Sequence, residues 1–327
     1  MKDKTKNLLS FFLRLGLSAV CLWVLFAYYI DWDDILSAVR GADTHFLWLA
    51  FSVNVLITII LLIRWYLFMF ALGLKAPLGL VFRYFFIGLF CNLFLPTSIG
   101  GDLVKAIGLS RRVGQKPKVF ASIVLDRLSG FAGLVIVAIV AYSVGSRFVD
   151  APSVVVPISI LAVGSLAVGG MLFHEKTYAF FCGVFRFFPR MHKALMDMHA
   201  DVMLMKGKKR TAWGCVLVSC GIQVLAAYMY YLIALALHIK AEMLHFVIFG
   251  PIVGAVTMLP SLGGLGVREA GWVYFLAKLD VDKGAAAGLS LIGFFFVVII
   301  GLLGGLVYVS TSPARRLQRA EEGQPVR

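Results

Sequence analysis

Leu95-Pro96-Thr97-Ser98-Ile99-Gly100-Gly101 and Leu259-Pro260-Ser261-Leu262-Gly263-Gly264 are two versions of one pattern, a Leu-Pro step followed by a glycine turn. They stand 164 residues apart in a chain of 327. Each closes a short apolar stretch, Tyr84 to Leu95 in one case and Phe246 to Leu259 in the other. At helical rise these stretches reach roughly 18 to 21 Å, against a hydrocarbon layer of about 30 Å, so neither crosses a bilayer alone. One copy by itself reads equally well as an ordinary helix break. Two copies at half the chain length, both inside apolar sequence, predict two re-entrant hairpins whose returning arms are Asp102 to Leu109 and Val267 to Leu276.

The rest of the chain gives these breaks a membrane setting. Hydrophobic residues make up 61% of it and charged residues 15%, with a mean hydropathy of +0.91; an average soluble protein is roughly 45–50% apolar. A pair of soluble domains could not bury that surface. Full-length apolar spans run from Leu8 to Ile30, Phe46 to Leu72, Val119 to Val144, Val154 to Phe173, Trp213 to Leu237 and Ala285 to Val309. The first is too long for a signal-peptide core and lacks a small-residue cleavage site, so it is read as a retained helix. The fold class is therefore all-α and polytopic, with six transmembrane helices and two re-entrant broken hairpins in one integral membrane domain over 1–327. The 164-residue offset divides it into halves of about 8–145 and 152–309, with a basic loop at 174–210 and a tail at 310–327. Three crossings per half is an odd number, which makes the repeat an inverted one, the arrangement of transporters whose substrates bind where broken helices meet.

Orientation follows from the bases. With both hairpins re-entrant, one side of the membrane receives 22 Lys and Arg, Lys105 among them, and the other receives 5 together with Asp31, Asp33, Asp34 and Asp43. The positive-inside rule then puts both termini in the cytoplasm and the chain in the cell's inner or plasma membrane. A formal net charge of +14 spread over short loops reports topology, and nucleic acid is not an expected partner. The segment Glu175 to Lys209 mixes Phe180, Phe181, Phe185, Phe187, Phe188 and Leu195 with bases, which predicts an amphipathic stretch at an anionic lipid surface. His192 and His199 are expected at its surface. Arg64-Trp65 is read as an interfacial anchor, and the five cysteines, without CxxC spacing, as packing residues.

A second set of charges lies at membrane depth. Arg127 falls about nine residues into its span, roughly 13 Å from the cytoplasmic end. Ionisable groups there mark a pathway or a paired structural site. Asp102, Asp126 and Glu269 could neutralise Arg127, Arg64 and Arg268 as simple ion-pair locks. The sharper expectation is a chamber near the midplane: each Gly-Gly starts a helix whose unpaired N–H groups attract an anion. Lys105, Arg127 and Arg268 match a phosphate, and apolar walls match a lipid headgroup. Removing Arg127 or Arg268 is then expected to stop headgroup movement in a chain that still folds. No GxxxxGK[ST], GxSxG, HExxH or CxxC occurs, so no catalytic residue, metal or cofactor is assigned.

Arg64-Trp65-Tyr66-Leu67, Asn92-Leu93-Phe94-Leu95-Pro96 with Gly100-Gly101-Asp102, Asp126-Arg127-Leu128, and Leu259 to Glu269 taken in order resemble the lysylphosphatidylglycerol synthetase transmembrane-region family, the flippase-like domain. The resemblance covers nearly the whole chain. It implies translocation of a phosphate-bearing lipid, as in the N-terminal part of the multiple peptide resistance factors. With about eighteen residues after the last span, no aminoacyl-transfer domain is expected in this chain. The combined substrate-binding set is Asn92, Pro96, Gly100, Gly101, Asp102, Lys105, Asp126, Arg127, Pro260, Gly263, Gly264, Arg268 and Glu269. The competing readings are an enzyme acting on a lipid phosphate through Asp102, Asp126 or Glu269, and a scaffold for a partner lipid synthase. Homo-oligomerisation stays open.

Overall fold

The computed structural model describes residues 39–94, 100–145, 151–183, 189–257 and 265–311. Every regular element among them is helical. In chain order these are α1 (Thr44–Ala71), α2 (Leu78–Phe94), α3 (Gly100–Val113), α4 (Lys116–Gly145), α5 (Ala151–Phe173), α6 (Glu175–Gly183), α7 (Pro189–Met203), a 3-10 turn (Leu204–Gly207), α8 (Lys209–Ala236), α9 (Met243–Val256), α10 (Val267–Ala277) and α11 (Lys283–Thr311). Five of them, α1, α4, α5, α8 and α11, are long and apolar enough to cross a membrane. They coincide with five of the six expected spans. The sixth, Leu8 to Ile30, lies outside the described residues, as do Pro96, Pro260, Gly263, Gly264 and the tail beyond Thr311. The short apolar arms are α2 and α9, and each is followed by a short helix, α3 or α10.

The two 28-residue helices α1 and α8 pack along each other and run antiparallel. Their ends fix that direction. The Asp43 N–H, just before α1, donates to the Ala236 carbonyl at the end of α8 at 2.9 Å; the Lys208 ammonium, just before α8, donates to the Ala71 carbonyl at the end of α1. Both helices finish in the same Schellman turn. Leu74 N–H reaches Met69 O at 3.0 Å and Ile239 N–H reaches Ala234 O at 2.8 Å, satisfying carbonyls the helix would otherwise orphan. The turn residues are Gly73 at φ 74° and His238 at φ 57°. The flanking sequence repeats as well: Ala71-Leu72-Gly73-Leu74-Lys75-Ala76 against Ala236-Leu237-His238-Ile239-Lys240-Ala241. Trp48 and Trp213, at matching positions near the starts of α1 and α8, are both exposed, so the antiparallel pair carries an indole near each end, where interfacial tryptophans belong.

The two short apolar helices pack across this pair. α2 lies on α11, and α9 lies on α4. Small residues make the first of these contacts close. A Cβ on Gly304 would strike the Phe86 carbonyl and one on Gly301 would strike the Leu93 side chain, the close approach that glycine permits between membrane helices. The largest buried cluster, around Trp272, Phe246, Phe249 and Ile233, joins α1, α4, α8, α9, α10 and α11. α5 is the least embedded long helix, with Ile160, Val163 and Leu166 exposed.

Three expectations change here. The 174–210 segment forms α6, α7 and the 3-10 turn, and α7 packs on α4. His199 is buried, not at the surface, because it shares a helical stripe with Leu195, Met198 and Val202, at i, i+3, i+4 and i+7; its ring stacks on Tyr178 with centroids 4.2 Å apart. Arg64 and Trp65 are buried at 5% and 1% exposure and are no interfacial anchor, because Arg64 pairs with Asp126 and the Trp65 N–H donates to Ser122 Oγ at 3.2 Å. Lys105 leaves the tally of loop bases, since it is buried against Asp102.

Candidate functional site

The site is built on the crossing of α2 and α3. A Cβ on Gly101 would collide with the Gly88 carbonyl and the Asn92 carboxamide, and one on Gly108 would collide with the Tyr84 ring. The absence of those carbons lets the two arms lie in backbone contact. Asn92 closes the crossing by accepting the Gly101 N–H at 2.8 Å, which satisfies one of the orphan donors at the start of α3. Asp102 follows in the first turn of α3, where the helix dipole favours a carboxylate.

Two cations share that carboxylate. Lys105, one turn along α3, places Nζ 2.7 Å from Asp102 Oδ1, and its ammonium lies 5.1 Å from the Trp65 ring centre and 5.2 Å from that of Phe85. Arg127 reaches across from α4 with Nε 2.6 Å and Nη2 2.5 Å from Oδ2. Their surroundings differ. The Asp102 and Lys105 side chains are 7% and 9% exposed, whereas that of Arg127 is 40% exposed.

Arg127 and Asp102 line a cavity of ≈ 560 Å3 between α3, α4 and α5. Apart from these two and Ser165, its walls are carbon side chains such as Leu103, Ile123, Phe131 and Leu161, with Gly164. An arginine in such an apolar recess is matched to carboxylate and phosphate oxyanions, which its guanidinium can bind in bidentate fashion.

The remaining expected residues lie in two other clusters. Asp126, one residue before Arg127, faces away from that cavity and binds Arg64 Nε at 2.8 Å, while Arg64 Nη1 donates to Ser219 Oγ on α8 at 2.7 Å. Arg268 and Glu269 form their own lock at the start of α10. Arg268 Nη2 meets Glu269 Oε1 at 2.6 Å, Arg268 Nε donates to Ser290 Oγ at 3.0 Å, and Ser290 Oγ donates to Glu269 Oε1 at 3.1 Å. Glu269 Oε2 also accepts the Gly266 N–H at 2.6 Å, at a glycine with φ 84°.

The structure therefore joins Asn92, Gly101, Asp102, Lys105 and Arg127 into one site, with Gly100 at the head of α3. It places Asp126, Arg268 and Glu269 in separate ion pairs, so the lock reading holds for all three arginines, and Arg127 alone of them also lines the cavity. The cavity carries residues of α3 and none of α10. Sequence reasoning missed Trp65 and Phe85 as the seat of the Lys105 ammonium, and Ser219 and Ser290 as hydrogen-bond partners. The serines had a usable signal, since a lone hydroxyl in an apolar span must find an acceptor.

The family model for the lysylphosphatidylglycerol synthase TM region matches residues 11–305. No curated protein matches the chain.

Proposed function

The chain belongs to the lysylphosphatidylglycerol synthase TM region family, a helical multi-pass membrane protein, and we propose on that premise that it is a lipid translocase moving a phosphate-bearing headgroup along the Arg127 cavity. Arg127 carries the reading. It combines 40% side-chain exposure with a position on the wall of an otherwise apolar cavity, where its guanidinium is within reach of an anion that enters. The headgroup phosphate meets Arg127, the acyl chains follow the carbon walls, and Asn92, Gly100, Gly101, Asp102 and Lys105 position that arginine.

The same reading places six crossings and two hairpins, one from each face, in two inverted halves of an inner or plasma membrane protein with both termini cytoplasmic. The antiparallel α1 and α8 support the inversion. Lys75, Lys208, Lys209 and Arg210 gather at the end where Lys208 meets Ala71, and Asp43 and Lys240 at the other, which supports the charge asymmetry behind the orientation. Its partners are anionic or phosphate-bearing lipids and the bilayer itself.

The test is reconstitution into liposomes with an acyl-labelled fluorescent phospholipid and a membrane-impermeant quencher. Wild type is expected to expose inner-leaflet label to the quencher faster than empty liposomes do. Arg127→Ala is expected to return the rate to that background while eluting as wild type on gel filtration. A wild-type rate in that variant sinks the proposal.

A further inference from the structure

Ser122, Asp126, Gly130 and Gly133 form one stripe along α4, and each of them meets α1 or α8. The Trp65 N–H of α1 donates to Ser122 Oγ at 3.2 Å, and Arg64 Nε, from the residue before, meets Asp126 Oδ1 at 2.8 Å. A Cβ on Gly130 would stand 3.5 Å from Arg64 Nη1, and one on Gly133 would collide with Ser219 and Cys220 of α8. Val124, Arg127, Leu128 and Phe131 line the cavity instead. At about 100° per residue they lie roughly 150° around the helix from that stripe.

Most of the stripe is small. Serine and glycine let helices approach closely, but a surface without large side chains gives a neighbour nothing to grip and leaves the rotation of α4 loosely held. The ionic contact is the exception. Arg64 Nη1 also donates to Ser219 Oγ at 2.7 Å, so one guanidinium ties α1, α4 and α8 together. The Arg64 and Asp126 side chains are 6% and 14% exposed, whereas the contact with Asp102 on the other side of α4 uses an arginine that is 40% exposed. The more exposed pair holds α4 less firmly. Buried pairs contribute little net stability and are best attested as devices that fix register.

We propose that Arg64 is a positioning residue for the cavity: through Asp126 it sets the rotation of α4 that turns the next residue, Arg127, toward the cavity wall. A turn of α4 by one residue, about 100°, carries Arg127 off that wall. The effect on lipid movement rests on the translocase reading; the rotation rests on the geometry of α4 alone.

The experiment separates rotation from stability. Arg64→Met by itself strands the Asp126 carboxylate, so the test variant combines Arg64→Met with Asp126→Leu. It replaces the pair by carbon side chains and is expected to melt close to wild type. Rotation is read with a small maleimide on the purified full chain in detergent, as the labelling that Phe131→Cys adds to that of the native cysteines. In the double variant this added labelling is expected to fall several-fold. Lipid movement in liposomes, measured without Phe131→Cys, is expected to fall to that of empty liposomes. A merely structural Arg64 leaves both readouts at wild type, since the double variant restores stability, and that result overturns the inference. Loss of lipid movement with unchanged labelling overturns it as well, because Arg64 then acts by a route other than turning α4. Arg64→Lys carries the test if the double variant does not fold. It keeps a charge for Asp126 but lacks the planar fork that holds Asp126 and Ser219 together, and is expected to lower the labelling; unchanged labelling there overturns the inference. Reduced labelling with wild-type lipid movement supports the hold of Arg64 on α4 and sinks the translocase reading of Arg127.

Discussion

The guanidinium carbon of Arg268 stands 4.7 Å from the centre of the Phe294 ring; at the 167-residue offset between the starts of α3 and α10 and of α4 and α11, Phe294 corresponds to Arg127, and Glu269, the neighbour of Arg268, to Asp102. The contact between a short helix and the long helix after it is thus made twice, with the arginine on opposite partners. In the first half Arg127 reaches from α4 to Asp102 on α3, and it borders a cavity. In the second half Arg268 starts on α10 and is closed in by Glu269, Ser290 and the ring of Phe294. One half keeps an accessible cation, and the other keeps a lock.

Arg268→Ala is therefore expected to act on folding. It strands Glu269, which is fully buried, and breaking one side of a buried ion pair costs about 3–5 kcal/mol. Arg127→Ala leaves Asp102 neutralised by Lys105 and is expected to cost less than about 1 kcal/mol, the range of exposed pairs. Thermal unfolding of both variants in detergent checks this ordering; a more stable Arg268→Ala than Arg127→Ala refutes it.

That ordering reverses part of what the sequence suggested, and the reason is geometric. The spans, the short arms and the half-length offset were legible because apolar run length and Pro-Gly breaks are one-dimensional signals. So was the presence of charge at depth. Which carboxylate meets which arginine was not legible, because Asp126 and Arg127 are adjacent in sequence and point to different partners, Arg64 on α1 and Asp102 on α3. Adjacent residues on a helix face about 100° apart, and only the packing of α1 and α3 on either side of α4 decides the pairing. The Ala71 to Ala76 repeat is also readable in one dimension, since it matches Ala236 to Ala241 at four of six positions without a gap. His199 is the opposite case, a polar residue in a basic segment that occupies an apolar stripe.

Gly101→Ala tests the hairpin crossing. Its added methyl meets the Gly88 carbonyl and Asn92, neither of which can yield without moving the arms apart. A destabilisation of about 1–3 kcal/mol is expected. Gly170→Ala, on α5 with nothing within 4 Å of the new carbon, is expected to stay within about 0.5 kcal/mol of wild type. Parallel melting curves on the two variants decide it, and equal midpoints would remove the crossing from the account of the site.

The matched Schellman turns give a stabilising change. Gly73 and His238 hold the same left-handed position at φ 74° and 57°, and a side chain there costs about 1 kcal/mol relative to glycine. His238→Gly is expected to raise the unfolding midpoint, and Gly73→Ala to lower it by a similar amount. Opposite signs in the two variants are the diagnostic result; a fall in both means that His238 makes a contribution other than its backbone geometry.

His199 supplies the pH dependence outside the membrane-length helices. Its ring is 5% exposed and stacked on Tyr178. Burial pushes its pKa below the ordinary 6.5; Glu175 and the Leu172 backbone oppose, and Lys206 adds to the fall. The unfolded chain therefore takes up a proton near pH 6.5 while the folded chain does so only at lower pH, so the unfolded state binds more protons in between and stability falls with falling pH. The contribution is fully present above pH 6.5 and is lost progressively below it. Asp201, whose carboxyl burial pushes above its ordinary 3.8 despite Lys118, has the opposite sign and acts from that acid value upward, favouring the folded state as pH falls. A wild-type midpoint that declines below about pH 6.5 is thus the signature of the histidine. His199→Phe keeps a ring against Tyr178 and removes the titration, and is expected to flatten that decline. An unchanged decline in His199→Phe would assign it to another group.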